Sequence, residues 1–264
     1  VNADAPAAVA VLADADLERR FGGLRRLYGD NGFAAVRAAR VAVVGLGGVG
    51  SWAAEALARS GVARLVLVDL DHVAESNINR QVQALGATLG MAKAAALVGR
   101  LADIHPGCEL LPVEEFAGAD NWPALLPAPV DVVIDACDQA AAKMHLATWS
   151  LASGVPLVIA GAAGGKQRAQ AVEVDDLAAA THDPLLAGLR QRLRKAGAAP
   201  RLGPMGLRAV FSREAVAAPA EQCEASDGSL NCHGYGSSVT VTATFGFVAA
   251  GEVLRLLIER HSRA

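Results

Sequence analysis

Aromatic side chains are scarce: six Phe, three Trp and two Tyr make up 4% of the 264 residues. A core with so few rings is built from Ala, Val and Leu, and alanine alone is about a fifth of the chain, a composition suited to helices lying on a sheet. Cysteine is sparse too. The four, at positions 108, 137, 223 and 232, form no CxxC pair and no dense framework, which excludes a disulfide scaffold and a readable four-cysteine zinc site. A reducing cytoplasm is the expected compartment. Long apolar runs are also missing: the most membrane-like stretch, Val239 to Gly251, is about 13 residues long before Glu252, Arg255, Glu259 and Arg260 interrupt it, and a span needs ~20. A buried helix is expected there, with peripheral membrane association left open. The first 16 residues carry Asp4, Asp14 and Asp16 and no basic n-region, so they read as a frayed lead-in rather than a secretory signal. There is no internal repeat, and 53% hydrophobic against 19% charged residues excludes overall disorder.

What is present is a βαβ rhythm. Apolar strands are expected at Arg40–Val44, Arg64–Asp69, Glu109–Val113, Val130–Asp135 and Pro156–Ala160, separated by helices at Ser51–Ser60, Met91–His105, near Asp120–Leu126 and at Ala140–Ser153. Strands apolar throughout and alternating with helices imply an α/β fold, a Rossmann-like, mostly parallel sheet with helices on both faces. Beyond Gly161 the pattern changes. Gln167–Val174 alternates like a half-buried strand, Asp183-Pro184 signals a helix start, Leu207–Phe211 is a further short strand, and a last helix runs from about Thr240 to Arg260. We read one domain over 1–264, with a nucleotide-binding half at 17–160 and a substrate-facing half at 161–264 that carries a mobile loop near 219–236.

Gly45-Leu46-Gly47-Gly48-Val49-Gly50 follows a strand and opens a helix, and Asp69 ends the next strand 24 residues after Gly45. That is a phosphate-cradling turn with an acidic ribose reader, and it serves NAD and ATP alike. The residues after the second strand choose between them. Asp69, Asp71, Asn77, Asn79, Arg80, Gln81 and Lys93 place carboxylates, amides, a guanidinium and an ammonium within 25 residues. A nicotinamide slot has little use for such cations, whereas a nucleoside triphosphate brings about four negative charges that must be neutralised before an oxyanion attacks the α-phosphorus. Asp135 and Asp138 lie just past a strand's C-terminal end, where open α/β sheets bind ligands; Asp135 is equally readable as a helix cap.

Together GLGGVG, the DLD followed by SNINRQ, the GMAK at 90–93 and the IDACD at 134–138 resemble the ATP-dependent adenylating enzymes of the ubiquitin-activating superfamily, the ThiF/MoeB-like proteins. The resemblance implies that Gly45, Gly47, Gly48 and Gly50 cradle the phosphates and that Asp69 and Asp71 serve the ribose side. It also implies that Asn77, Asn79, Arg80 and Gln81 contact the nucleotide, and that Lys93 sits on the phosphates. Asp138 would position Mg²⁺ or the attacking carboxylate, which makes Arg80, Lys93 and Asp138 the catalytic set and ATP and Mg²⁺ the cofactors. The family's paired zinc cysteines are absent from this chain. The segments at 20–29 (RFGGLRRLYG) and 234–248 (GYGSS through TATFGFV) resemble the tRNA threonylcarbamoyladenosine dehydratase branch. That branch implies activation of a threonyl carboxylate on modified adenosine and ring closure with loss of water. An activator of the C-terminus of a small ubiquitin-like or sulfur-carrier protein is the alternative.

Partners follow from the same resemblance and from charge. It implies a homodimer with an N-terminal arginine, Arg20 or Arg26, acting in trans, and it is compatible with a sulfur-transfer or cysteine desulfurase partner. Between 190 and 213 stand seven basic residues, Arg190, Arg192, Arg194, Lys195, Arg201, Arg208 and Arg213, and no acidic one, leaving 17 basic against 27 acidic residues elsewhere, a balance of −10. A tRNA-phosphate surface is expected on this segment; a solvated helix face is the alternative, and DNA is not expected. Cys223 and Cys232 flank the polar loop and read as bystander thiols.

Overall fold

Valine-rich strands buried on both faces need a helical layer on each side, and the chain supplies both. The computed structural model describes residues 16–217 and 235–263. Its strands are β1 (Arg40–Val44), β2 (Arg64–Val68), β3 (Glu109–Val113), β4 (Val132–Asp135), β5 (Leu157–Ala160), β6 (Val172–Asp176) and β7 (Arg208–Ser212). They form one sheet in the order β3-β2-β1-β4-β5-β7-β6. Every neighbouring pair is parallel except β6, which runs antiparallel to β7. The helices are α1 (Leu17–Ala38), α2 (Gly50–Arg59), α3 (Lys93–Ile104), α4 (Ala140–Ser153), α5 (Pro184–Lys195) and α6 (Val239–His261).

The two-residue period of a strand sorts its side chains between the layers. Val41, Val43, Leu65 and Leu67 face α2, α3 and α6. Ala42, Val44, Val66 and Val68 face the layer built by α4 and α5. Each fully buried leucine contributes roughly 2 kcal/mol of transfer free energy, so the sheet is held by many modest increments rather than by a few large rings. The apolar α6 is long enough and apolar enough to cross a membrane by length and composition, yet it is largely buried against the sheet. It crosses α2 at Gly246, where a Cβ would stand 2.5 Å from the Val49 carbonyl oxygen, so only glycine allows the two backbones to approach so closely.

Two expectations change. No helix forms at Asp120–Leu126: the Asn121 side chain accepts from Gly118 N at 2.8 Å and donates to Phe116 O at 2.8 Å, local bonds that compete with a helix and leave a run of turns. The strand expected at Gln167–Val174 begins only at Val172, because the amides of Gln167 and Arg168 donate to the Glu214 carboxylate instead of a ladder. The segment around Arg20–Gly29 is helical, part of α1, with a kink at Gly29. The loop expected near 219–236, with Cys223 and Cys232, lies outside the described residues apart from its last two positions.

The strand order gives the site its place. From β1 the chain winds outward through β2 and β3, while β4 sits on β1's other side and leads toward β5. Ligands bind at such a reversal, beyond the strands' C-terminal ends.

Candidate active site

The glycine loop begins as an extension of the sheet, Gly45 N donating to Val68 O at 2.8 Å. Gly45 then turns with φ +85°, and a Cβ there would lie 2.8 Å from the backbone of Ala136 and Cys137. Glycine is therefore required twice over, for the turn and for the closeness of the β4 loop. Gly50 packs beneath the loop against the Gly45 carbonyl, and Gly47 faces open space. The N-terminus of α2 follows at Gly50, and the partial positive charge of a helix N-terminus suits an anion.

These elements wall a cavity of about 460 Å³ lined by Gly45, Gly47, Gly48, Asp69, Asp71, Arg80, Gln81, Lys93 and Asp138. Nine of the expected site residues thus converge on one space, of a size that holds a small ligand. Asp69 is buried, its Oδ2 accepting Leu46 N at 2.6 Å and its Oδ1 accepting Asp71 N at 2.9 Å. Burial pushes this carboxyl above the ordinary carboxylate range, while Lys93 and the two amides pull it back. Lys93 is almost wholly buried and places Nζ 2.6 Å from Asp71 Oδ2 and 4.0 Å from Asp69 Oδ1. Arg80 donates to Ser76 O at 2.6 Å and Asn79 Oδ1 at 2.9 Å. It has no carboxylate partner among the described residues, and burial lowers its pKa. A cation held by neutral oxygens beside a cavity retains its charge for an incoming anion.

Asn77 and Asn79 do not line the cavity. Asn77 Oδ1 accepts Ala74 N at 3.1 Å and so builds the turn that presents Arg80, and Asn79 Nδ2 donates to Ser237 O at 3.2 Å. The Asn77 oxygen and the Asn79 nitrogen are thus engaged within the fold. The expected N-terminal arginines also separate. Arg20 Nη1 donates to the carbonyls of Asp103 and Ile104 at 3.0 and 2.7 Å, closing the C-terminal end of α3 in its own chain. Arg26 is exposed.

The basic segment is divided in the same way. Arg208 is ion-paired to Glu252 at 2.6 Å, Arg213 to Glu173 at 2.7 Å, and Arg190 donates to the carbonyls of Leu177 and Ala180 at 3.3 and 2.6 Å. Arg190 through Nη1 and Arg208 through Nε thus each spend part of their hydrogen-bonding capacity within the fold. Arg194 is half-buried, and its Nε is out of contact with solvent. Arg192, Lys195 and Arg201 are exposed.

Phe116 and Gln139, to which the sequence alone gave no role, complete the wall together with Tyr235 and with Ala162 and Gly164 of the second glycine cluster, whose place after a strand end pointed either to the pocket or to a tight turn. Phe116 follows β3 at its C-terminal end, the position where a parallel sheet offers ligand contacts, so a signal for it existed. Asp135, expected as cap or ligand, does neither: it is fully buried and paired to Lys143 at 3.0 Å. Among the described residues no group of three His, Cys, Asp or Glu could hold a metal by itself. One exposed carboxylate, Asp138, suits Mg²⁺ only together with phosphate oxygens, the usual manner for that hard cation.

Comparisons with known proteins agree with this geometry. The model of the ThiF family matches residues 20–264. The chain is 38% identical over 96% of its length to the tRNA threonylcarbamoyladenosine dehydratase of Escherichia coli K12, covering 98% of that protein. It is 36% identical over 96% of its length to the enzyme of the same name from Haemophilus influenzae, covering 99% of it. The structure of the E. coli tRNA N6-threonylcarbamoyladenosine dehydratase in complex with ATP superposes with a TM-score of 0.85 at 38% identity, over 94% of this chain and 98% of that one.

Proposed function

The chain belongs to the ThiF family, and from that premise we infer that it is an ATP-dependent dehydratase acting on threonylcarbamoyladenosine in tRNA. The observation that carries this reading is the convergence of the glycine loop, Asp69, Arg80, Lys93 and Asp138 on one cavity in a chain so similar, end to end, to proteins of that name. The threonyl carboxylate attacks the α-phosphorus of ATP, pyrophosphate leaves, and the acyl adenylate is consumed when the carbamoyl group closes a ring and AMP departs with the lost oxygen.

Each residue has a task set by its surroundings. Gly47 gives the backbone open approach to phosphate, and Asp69, already fixed by two amides, keeps lone pairs for a ribose hydroxyl. Arg80 and Lys93 stabilise charge that grows on the phosphates in the transition state. Asp138 orients the attacking carboxylate or holds Mg²⁺ against the phosphates, where the ion would supply further charge neutralisation. Phe116 offers a ring face at the cavity wall for the adenine.

A homodimer completes this reading. Leu27, Ile78, Leu85, Met91 and Phe247 are large, apolar and 43–68% exposed, and a second copy of the chain is the proposed cover. Arg26, exposed on α1, is the proposed in-trans arginine. Arg192, Lys195 and Arg201 form the proposed tRNA-phosphate contact. The reading is tested by following ATP conversion to AMP and pyrophosphate with unmodified tRNA, with threonylcarbamoyl-modified tRNA and with a small carrier protein ending in glycine. Turnover with the modified tRNA alone is expected; turnover with the carrier protein alone would replace the reading.

A further inference from the structure

Beneath the cavity floor lies a charge cluster with no role in the chemistry above. Lys143, on α4, and Asp135, the last residue of β4, are both completely buried, with Nζ 3.0 Å from Asp135 Oδ1. The same ammonium donates to Ala160 O at 2.9 Å, the end of β5. Asp135 Oδ1 in turn accepts Cys137 N at 3.2 Å and the Cys137 thiol at 3.0 Å. One ammonium thus joins two neighbouring segments of the wall, residues 136–139, which carry Asp138, and residues 161–164, which follow the adjacent strands β4 and β5. Asp183, whose Oδ2 accepts Ala162 N at 2.7 Å, also acts electrostatically on Lys143. Asp135 Oδ2 is buried with no hydrogen-bond partner among the described residues. A hydrophobic pair of this volume would leave neither oxygen unsatisfied, so stability alone gives no reason for the charges.

We propose that Lys143 is a positioning residue for the adenylation step, locking the 136–138 turn through Asp135 so that Asp138 faces the reacting phosphate. Lys143 reaches the cavity only through Asp135 and the two loops. A misplacement of about 1 Å at such a group costs on the order of a hundredfold in rate. The inference rests on the dehydratase reading, and the wild-type enzyme assayed in parallel separates the two: an inactive wild type refutes the reading, whereas the inference is judged on an active one.

The test is the neutral pair Lys143→Met/Asp135→Asn, chosen because Lys143→Met alone strands a buried carboxylate and endangers the fold. The double variant is expected to keep its melting temperature and its KM for ATP while kcat falls at least about tenfold. Placed on an Asp138→Asn background it is expected to cause no further loss, since both changes then act on one group. A double variant with wild-type kcat, one that does not fold, or one whose loss multiplies with that of Asp138→Asn would overturn the inference.

Discussion

Lys93 and Arg80 are both cations at the cavity wall, but one leans on Asp71 and the other on neutral oxygens. Removing either charge removes stabilisation that matters most in the transition state. Lys93→Ala and Arg80→Ala are each expected to lower kcat by on the order of a hundredfold; a near-normal rate would take that residue out of the mechanism. Asp138→Asn is expected to bind ATP with an affinity within about threefold of wild type, by calorimetry, and to lose turnover by a similar hundredfold. Lost ATP binding with normal turnover at saturating nucleotide would contradict the role. At this scale the sequence was informative wherever a function is encoded by spacing along one strand–loop–helix unit, as for Gly45 to Asp69. It was uninformative wherever a side chain's partner is distant in the chain. Arg20 meets carbonyls 83 and 84 residues away, and Arg208 meets Glu252 44 residues on. Nothing local in the sequence distinguishes such a satisfied charge from a free one.

Elements show the same division. The bounds of β1, β3 and α4 coincide with those expected, since an apolar run between turn residues, or a helix closed by a left-handed glycine such as Gly154, is decided by neighbours in sequence. Helix α1 was illegible as a helix because Gly22, Gly23 and Gly29 dilute its propensity, and tertiary contacts override them. Phe21 lies against the His105 ring at a centroid distance of 4.6 Å, and Arg37 Nη1 donates to His105 Nε2 at 2.9 Å. Burial first, and then the charge of Arg37, push the fully buried His105 from an ordinary 6.5 down to about 4. The folded state therefore favours the neutral ring. This contribution is fully present above pH 6.5, where the unfolded histidine is neutral too, and is lost as the pH falls from 6.5 through 4. The expected loss is about 2–4 kcal/mol. Urea unfolding at a series of pH values should show that slope in the wild type and a flatter one in His105→Gln; equal slopes would show that other groups govern acid unfolding.

At the scale of the whole molecule, the doubly wound order and its crevice followed from the alternation of elements, whereas the oligomer and the nucleic-acid face depend on surfaces that strand and helix periods do not describe. If Arg26 acts across a homodimer, Arg26→Ala and Lys93→Ala should each be inactive alone and should recover about a quarter of wild-type activity after mixing and subunit exchange, because half the dimers then hold one intact site. No recovery would make the arginine intramolecular or idle. Neutralising Arg192, Lys195 and Arg201 together is expected to make the log–log salt slope of tRNA binding shallower by about two to three units, with ATP affinity unchanged; an unchanged slope would assign these residues to a solvated helix face. The central claim is the chemistry itself. It is tested most directly by incubating the protein with ATP, Mg²⁺ and threonylcarbamoyl-modified tRNA, digesting the tRNA to nucleosides and weighing the modified adenosine by mass spectrometry. The account predicts a nucleoside lighter by one water, formed only when ATP is present; an unchanged mass beside full consumption of ATP to AMP, or a loss of water without ATP, would contradict it.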